Sequence, residues 1–150
     1  MPHSYTNLVC HVVFGTKGRE PWLQNEIRPA VLHFLGGGIK ENGGIVLEIN
    51  GMPDHVHILA KLRPDRTISD LLRDIKARSS GWIHSTYPDL VGFAWQSGYG
   101  AFSVSRSQVN VVRSYIQRQE EHHRDKPFAE EFVRLLIAHD VEFDERYLWD

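Results

Sequence analysis

The sequence predicts an α+β fold of the ferredoxin-like or RRM-like kind, an antiparallel β-sheet with helices packed on it. Three observations carry this. β-branched and aromatic runs occur in pairs joined by short turn signals, as in hairpins. Segments of helical periodicity separate those runs. The length of 150 residues suits one core, so 1–150 is read as a single domain with an acidic helical tail from about 127.

The elements follow in the order β-α-β-β-α-β-β-α-α. Residues 5–14, YTNLVCHVVF, have the content of a strand, closed by the loop GTKGREP. From about 23 to 41, Ile27, Ala30, Val31, Phe34 and Leu35 fall at helical spacing. Gly36, Gly37 and Gly38 either end that helix or mark a place where another backbone packs close. IVLEIN (45–50) alternates as a strand, GMPD turns, and HVHILAKL (55–62) returns as the second strand of a hairpin. Thr67 or Ser69 caps a helix to about Ser85, with Ile68, Leu71, Leu72, Ile75 and Trp82 on its apolar face. FAWQSGYGAFSVS reads as a strand, a glycine-marked turn and a short strand. Ser105 and Gln108 form a capping-box pattern for a helix bearing Val109, Val112, Tyr115 and Ile116, which Lys126-Pro127 breaks. The tail from Phe128 to about His139 is amphipathic along Phe132, Leu135 and Leu136.

Composition is that of a soluble globular chain, 41% hydrophobic and 24% charged. The single cysteine, Cys10, excludes a disulfide framework and a cysteine-built zinc site. No apolar run approaches the ~20 residues that span a bilayer, and the first residues lack a signal-peptide pattern, so a cytoplasmic protein is expected. The net charge of -2 hides an asymmetry. Residues 61–80 hold six basic and three acidic side chains, whereas 120–150 hold four basic and ten acidic ones. Arg73 and Lys76 on the basic helix are candidate DNA phosphate contacts; a solvated helix face fits the same charges.

The candidate chemistry starts at His55 and His57. Two apart on a strand, they leave the sheet on the same face. They are either a polar patch or two ligands of a metal site that needs a third. Asp54 is positioned to orient one of them, though an Asp in this place is also an ordinary turn residue. In VVRSYIQRQEEHH, Tyr115 and Gln119 are four apart and share a helix face, with His122 a further turn along and His123 four on from Gln119. Gln119 offers a carbonyl oxygen and Tyr115 a phenol, although both also fit a packed or surface role. Together these groups suit transesterification at a phosphodiester, with tyrosine as nucleophile. Trp95, Tyr99 and Phe102 are either stacking platforms for unpaired bases or core. His11, His33, His84 and His139 have no partner legible in the sequence.

GMPDHVHIL, WQSGYGAFSVS and VVRSYIQRQEEHH, in that order, resemble the single-tyrosine HUH transposases of small insertion sequences. The resemblance covers nearly the whole chain. It implies a DNA transposase that cuts and rejoins single-stranded DNA at insertion-sequence ends through a 5′-phosphotyrosine. It assigns Tyr115 as nucleophile and His55, His57 and Gln119 as ligands of Mg²⁺ or Mn²⁺. It also implies recognition of DNA hairpins at the transposon ends and a homodimer in which the tyrosine helix of one subunit can complete the other's site. Three rivals stand beside it. One is a domesticated or replication-type nickase acting on palindromic DNA. The others are a non-catalytic nucleic-acid-binding module, and a metal-dependent hydrolase that uses water.

Overall fold

Strand β1 (Leu8–Gly15) lies inside the sheet, paired with β3 (His55–Leu62) on one side and β4 (Gly100–Ser103) on the other. Strand β2 (Ile45–Met52) joins β3 through the turn at Pro53-Asp54, and the order is β2-β3-β1-β4 with every pairing antiparallel. This is the split βαβ arrangement expected from the sequence. The computed structural model describes residues 4–123 and 126–150.

Period-two alternation divides the sheet into two faces. Val12, Phe14, Val56, Ile58 and Ala60 point to one, where helices α1 (Arg28–Glu41) and α2 (Ile68–Thr86) bury Leu35, Ile39, Leu72 and Ile75 against them. The Thr67 hydroxyl caps α2 by accepting the Asp70 N–H at 3.0 Å. The other face carries Val9, Val13 and Leu59. Helix α3 (Val109–Gln117) packs on it through Val109 and Ile116, and α5 (Phe128–Ala138) through Phe128, Phe132 and Leu136. The four-residue α4 (Gln119–His122) lies between them in sequence. Helices therefore cover both sheet faces, and β3 is buried on both along His55–Ala60.

Of the two readings of the glycine run, helix α1 follows the second and passes through it; among Gly36–Gly38 only Gly38 packs closely, against a side chain and not a backbone, where an added Cβ would lie 3.1 Å from Ile75 Cγ2. Three expectations need correction. Among the described residues, Phe93–Trp95 contribute only an isolated bridge from Trp95 to Thr16. That segment is held instead by side chains: Trp95 Nε1–H donates to Ser79 Oγ at 2.9 Å, and Lys76 draws in the carbonyls of residues 96–98. The capping box at Ser105 does not form. The Ser105 carbonyl accepts the Gln108 N–H at 2.9 Å, so a 3-10 turn over Arg106–Gln108 leads into α3. The helix that follows breaks at Arg118 (φ -100°, ψ 31°), well before Pro127. No helix among the described residues is long and apolar enough to cross a membrane.

The glycine run yields a contrast. Gly37 is exposed with nothing near its missing side chain, so Gly37→Ala should stabilise the fold by up to about 1 kcal/mol. Gly38→Val should destabilise it through Ile75. Urea unfolding of both variants checks this, and a stable Gly38→Val would refute the close packing.

Candidate active site

His55 and His57 sit on the face covered by α3 and α5, both fully buried, with ring centroids 5.1 Å apart. Gly15 lies opposite His55 and Val13 opposite His57. Because Gly15 has no side chain, Phe128 of α5 stacks directly on the His55 ring, at 4.0 Å between centroids and 4° between planes. A Cβ at Gly15 would come within 2.9 Å of Phe128. Asp54 Oδ1 accepts the His55 Nδ1–H at 2.8 Å, which leaves Nε2 as the lone-pair nitrogen. His57 Nδ1 lies 2.8 Å from Nε2 of His11, a diagonal neighbour on β1. His11 thus has a partner that the sequence did not disclose. Its one signal there was a polar residue within an apolar strand, on the same face as Val9 and Val13.

Tyr115 and Gln119 come from either side of the Arg118 break. Three contacts from β2 hold α3 in register. Asn50 Nδ2 donates to the Ile116 carbonyl at 2.9 Å, Arg113 donates to the Leu47 carbonyl at 2.9 Å, and Gln117 Nε2 donates to Glu48 at 3.1 Å. The Tyr115 ring then stands edge-on to His57 at 5.9 Å between centroids. The break turns Gln119 inward, fully buried, with Oε1 3.2 Å from His55 Nε2. All of these groups belong to one chain.

A carboxylate missed in the sequence ties the groups together. Glu131 of α5 is 6% exposed. Its Oε1 lies 3.0 Å from His57 Nε2, 3.4 Å from His55 Nε2 and 3.0 Å from His123 Nε2. Its Oε2 accepts the Tyr115 hydroxyl and, at 3.3 Å, the Gln119 Nε2–H. The signal for Glu131 was present: it falls three after Phe128 and beside Phe132, on the apolar seam of its helix. His123 Nδ1–H donates to the Lys126 carbonyl at 2.7 Å, so its Nε2 also presents a lone pair. The side chain of His122 lies outside the described residues.

Lone pairs from His55 and His123 thus face Glu131 Oε1, an arrangement of acceptors that only a proton or a metal cation between them relieves. The ligand atoms of His55, His57, His123 and Glu131 all lie within 4.8 Å of one another. Donors bound to one divalent ion at about 2.0–2.2 Å would stand roughly 3 Å apart, so the set fits a metal. These four residues form a possible metal site, and Gln119 Oε1 borders it.

Burial dominates the electrostatics. It pushes the His57 pKa down to about 4 against the pull of Glu131, and that of His11 to about 3, so both are neutral near pH 7. Burial opposes charge on His55 too, but the bonds to Asp54 and Glu131 outweigh it and raise its pKa. Burial raises Glu131 as well, yet three imidazole partners hold it well below the usual carboxylate range. Tyr115 is raised by burial and then by Glu131, so its resting form is the phenol.

The remaining candidates lie apart. Arg73 and Lys76 are on α2, across the sheet from His55 and His57. Arg73 is exposed beside Asp70. Lys76 is folded inward, with Nζ donating to the carbonyls of Gln96, Ser97 and Gly98 at 2.9, 3.3 and 2.6 Å, and burial lowers its pKa to about 8. Trp95 and Phe102 are buried, and Tyr99 is partly exposed near Lys76.

Fold and site together define an α+β protein with a histidine-rich, carboxylate-bridged cluster facing a tyrosine. The family described as transposase IS200-like matches residues 4–119, and the chain belongs to it. It is accordingly a transposase, of a family whose members cut and rejoin DNA. The chain is 28% identical over 114 residues to the ISDra2 transposase TnpA of Deinococcus radiodurans, covering 73% of this chain and 81% of that one. It is 26% identical over 124 residues to the IS200 transposase of Salmonella typhimurium, covering 79% and 81%. A crystal structure of a Deinococcus radiodurans R1 protein assigned as a transposase superposes with a TM-score of 0.64 at 26% identity, over 79% of this chain and 96% of that one. A REP-associated tyrosine transposase bound to a REP hairpin shares the fold, with a TM-score of 0.61 at 17% identity over 96% and 91%.

Lys76 should behave as a staple for the 96–98 loop. Lys76→Met is expected to cost about 2 kcal/mol of stability, since bonds from a charged donor are lost. Its DNA affinity and salt dependence should be unchanged. Unchanged stability with a shallower salt slope would instead make Lys76 a phosphate contact.

Proposed function

We propose that this transposase cuts and rejoins single-stranded DNA at insertion-sequence ends through a 5′-phosphotyrosine on Tyr115. His55, His57 and Gln119 would hold Mg²⁺ or Mn²⁺, with Glu131 and His123 available to complete the set. The observation that carries this reading is the shared carboxylate. Glu131 holds the Tyr115 hydroxyl with one oxygen and faces the imidazoles with the other, so nucleophile and metal donors meet at one point.

When bound, the metal supplies Lewis-acid polarisation of the scissile phosphate. Tyr115 Oη attacks phosphorus as the phenol, and its proton leaves toward Glu131 Oε2 as the new bond forms. The phosphorus–O3′ bond breaks, and the departing 3′ oxygen takes a proton from solvent while Glu131 releases its own to solvent, so a 3′-hydroxyl is released and no net proton is consumed. Rejoining is the reverse, attack by a 3′-hydroxyl on the phosphotyrosine. Asp54 and His11 each bond the Nδ1 side of a ligand imidazole and aim its Nε2 at the centre.

Single-stranded hairpins at the element's ends are the proposed substrate, and the hairpin bound by the REP-associated relative supports that class. We take the chain as a single domain acting in the cytoplasm as a homodimer. The proximity of Tyr115 to His57 within one chain favours a site completed in cis in the resting state.

Incubation with labelled hairpin DNA and Mn²⁺ should give a denaturation-resistant adduct with the wild type and none with Tyr115→Phe. His57→Ala should lose cleavage yet keep most DNA affinity, because backbone contacts dominate binding. Cleavage surviving in Tyr115→Phe would overturn the tyrosine nucleophile and favour hydrolysis by water. His11→Leu should weaken Mn²⁺ binding by roughly 10- to 100-fold in a calorimetric titration, the usual effect of removing a ligand's orienting partner. Unaltered affinity would make His11 a packing residue only.

A further inference from the structure

Beside Tyr115 lies a cavity of about 390 Å³. Tyr115 and Glu131 form its polar end, Leu135 and Ala138 an apolar wall, and Lys126 and Arg134 supply two cations. Apart from Tyr115, these residues come from the segment beyond residue 119, where the family match ends. The cavity thus lies where the segment beyond the family match meets the tyrosine helix, against the reacting hydroxyl.

Its chemistry points to one kind of occupant. The volume takes one nucleotide and is too small for a base pair. The apolar wall suits the flat face of an unstacked base. Among the described residues, Arg134 makes an exposed ion pair with Glu130 at 3.7 Å, a contact weak enough to exchange for a phosphate. Two carboxylates also line the space, but Glu131 is engaged by imidazoles and Tyr115. That leaves Glu121 at the wall as an acceptor for a base amino group.

We propose that this cavity seats one unpaired nucleotide adjoining the phosphate that Tyr115 attacks. Arg134 and Lys126 hold its backbone, and Leu135 and Ala138 pack against its base. This makes the α5 segment a positioning and specificity element, and it rests on the tyrosine-nucleophile reading above.

The test uses the full chain with Mn²⁺ and a pool of single-stranded hairpin oligonucleotides, carrying forward the member that yields the Tyr115 adduct. Single abasic sites are then walked through the residues flanking the cut. Arg134→Gln should lower single-turnover adduct formation about tenfold, as expected for loss of a charged contact, while Arg134→Lys recovers part of it. Ala138→Trp fills the cavity and should cost at least as much. In the wild type, one flanking abasic site should reproduce that loss, and the same site in Ala138→Trp should add little, the non-additivity of a shared contact. Total DNA affinity should stay within about twofold, since one seated nucleotide is a small part of an extended hairpin substrate. If Ala138→Trp fails to fold by thermal melting, the exposed Arg134 and its two variants still decide the matter. Wild-type rates in the Arg134 variants, or abasic penalties that add fully to the variant's, would overturn the subsite alone. Absence of any wild-type adduct would overturn the underlying reading, and the subsite with it.

Discussion

A buried carboxylate surrounded by imidazoles organises the functional half of this molecule. Burying Glu131 costs several kcal/mol unless its charge is met, and removing any one partner would leave that charge exposed to a low-dielectric interior. With a proton or a metal cation held between them, the sheet meets it through His55 and His57 and the α4 turn through His123, while α3 donates the Tyr115 hydroxyl. One side chain from α5 therefore joins three other parts of the chain. The relative position of nucleophile and metal donors follows from satisfying that single anion.

The rest of the architecture can be read as support for this point. Alternation on β3 sends Val56, Ile58 and Ala60 into the core beneath α1 and α2, and that rigid layer fixes the histidines on the opposite face. Gly15 leaves the space that lets Phe128 lie flat on His55, so α5 docks where Glu131 can reach. The contacts of Asn50, Arg113 and Gln117 lock α3 to the hairpin that carries the histidines, which couples tyrosine position to ligand position. Both imidazoles are fully buried, whereas Tyr115 and Glu131 line the cavity beside α5.

Local pattern was a reliable guide where one interaction decides a structure. The β2–β3 hairpin, the Thr67 cap and the periodic faces of α2 and α5 were legible because turn chemistry and apolar spacing act over a few residues. It failed where a distant group intervened. Phe93–Trp95 carries strand composition, yet Ser79 and Lys76 capture its tryptophan and the carbonyls that follow. The Ser105 capping pattern gave way to a 3-10 turn because the backbone carbonyl satisfied the same N–H first. Gly36–Gly38 left open whether the helix ends or passes through, and one close contact with Ile75 accounts for a glycine inside the helix at 38.

The site divides the same way. By itself the sequence determined that His55 and His57 share a face, that Asp54 adjoins them, and that Tyr115 and Gln119 travel on neighbouring turns. Those are consequences of strand and helix periods. Only the tertiary structure decided that His11 backs His57 across a strand pair, that the Arg118 break turns Gln119 inward, and that the acidic tail delivers Glu131 into the cluster. These depend on register and on which face α5 covers, both set by long-range packing and by the need to pair a buried charge.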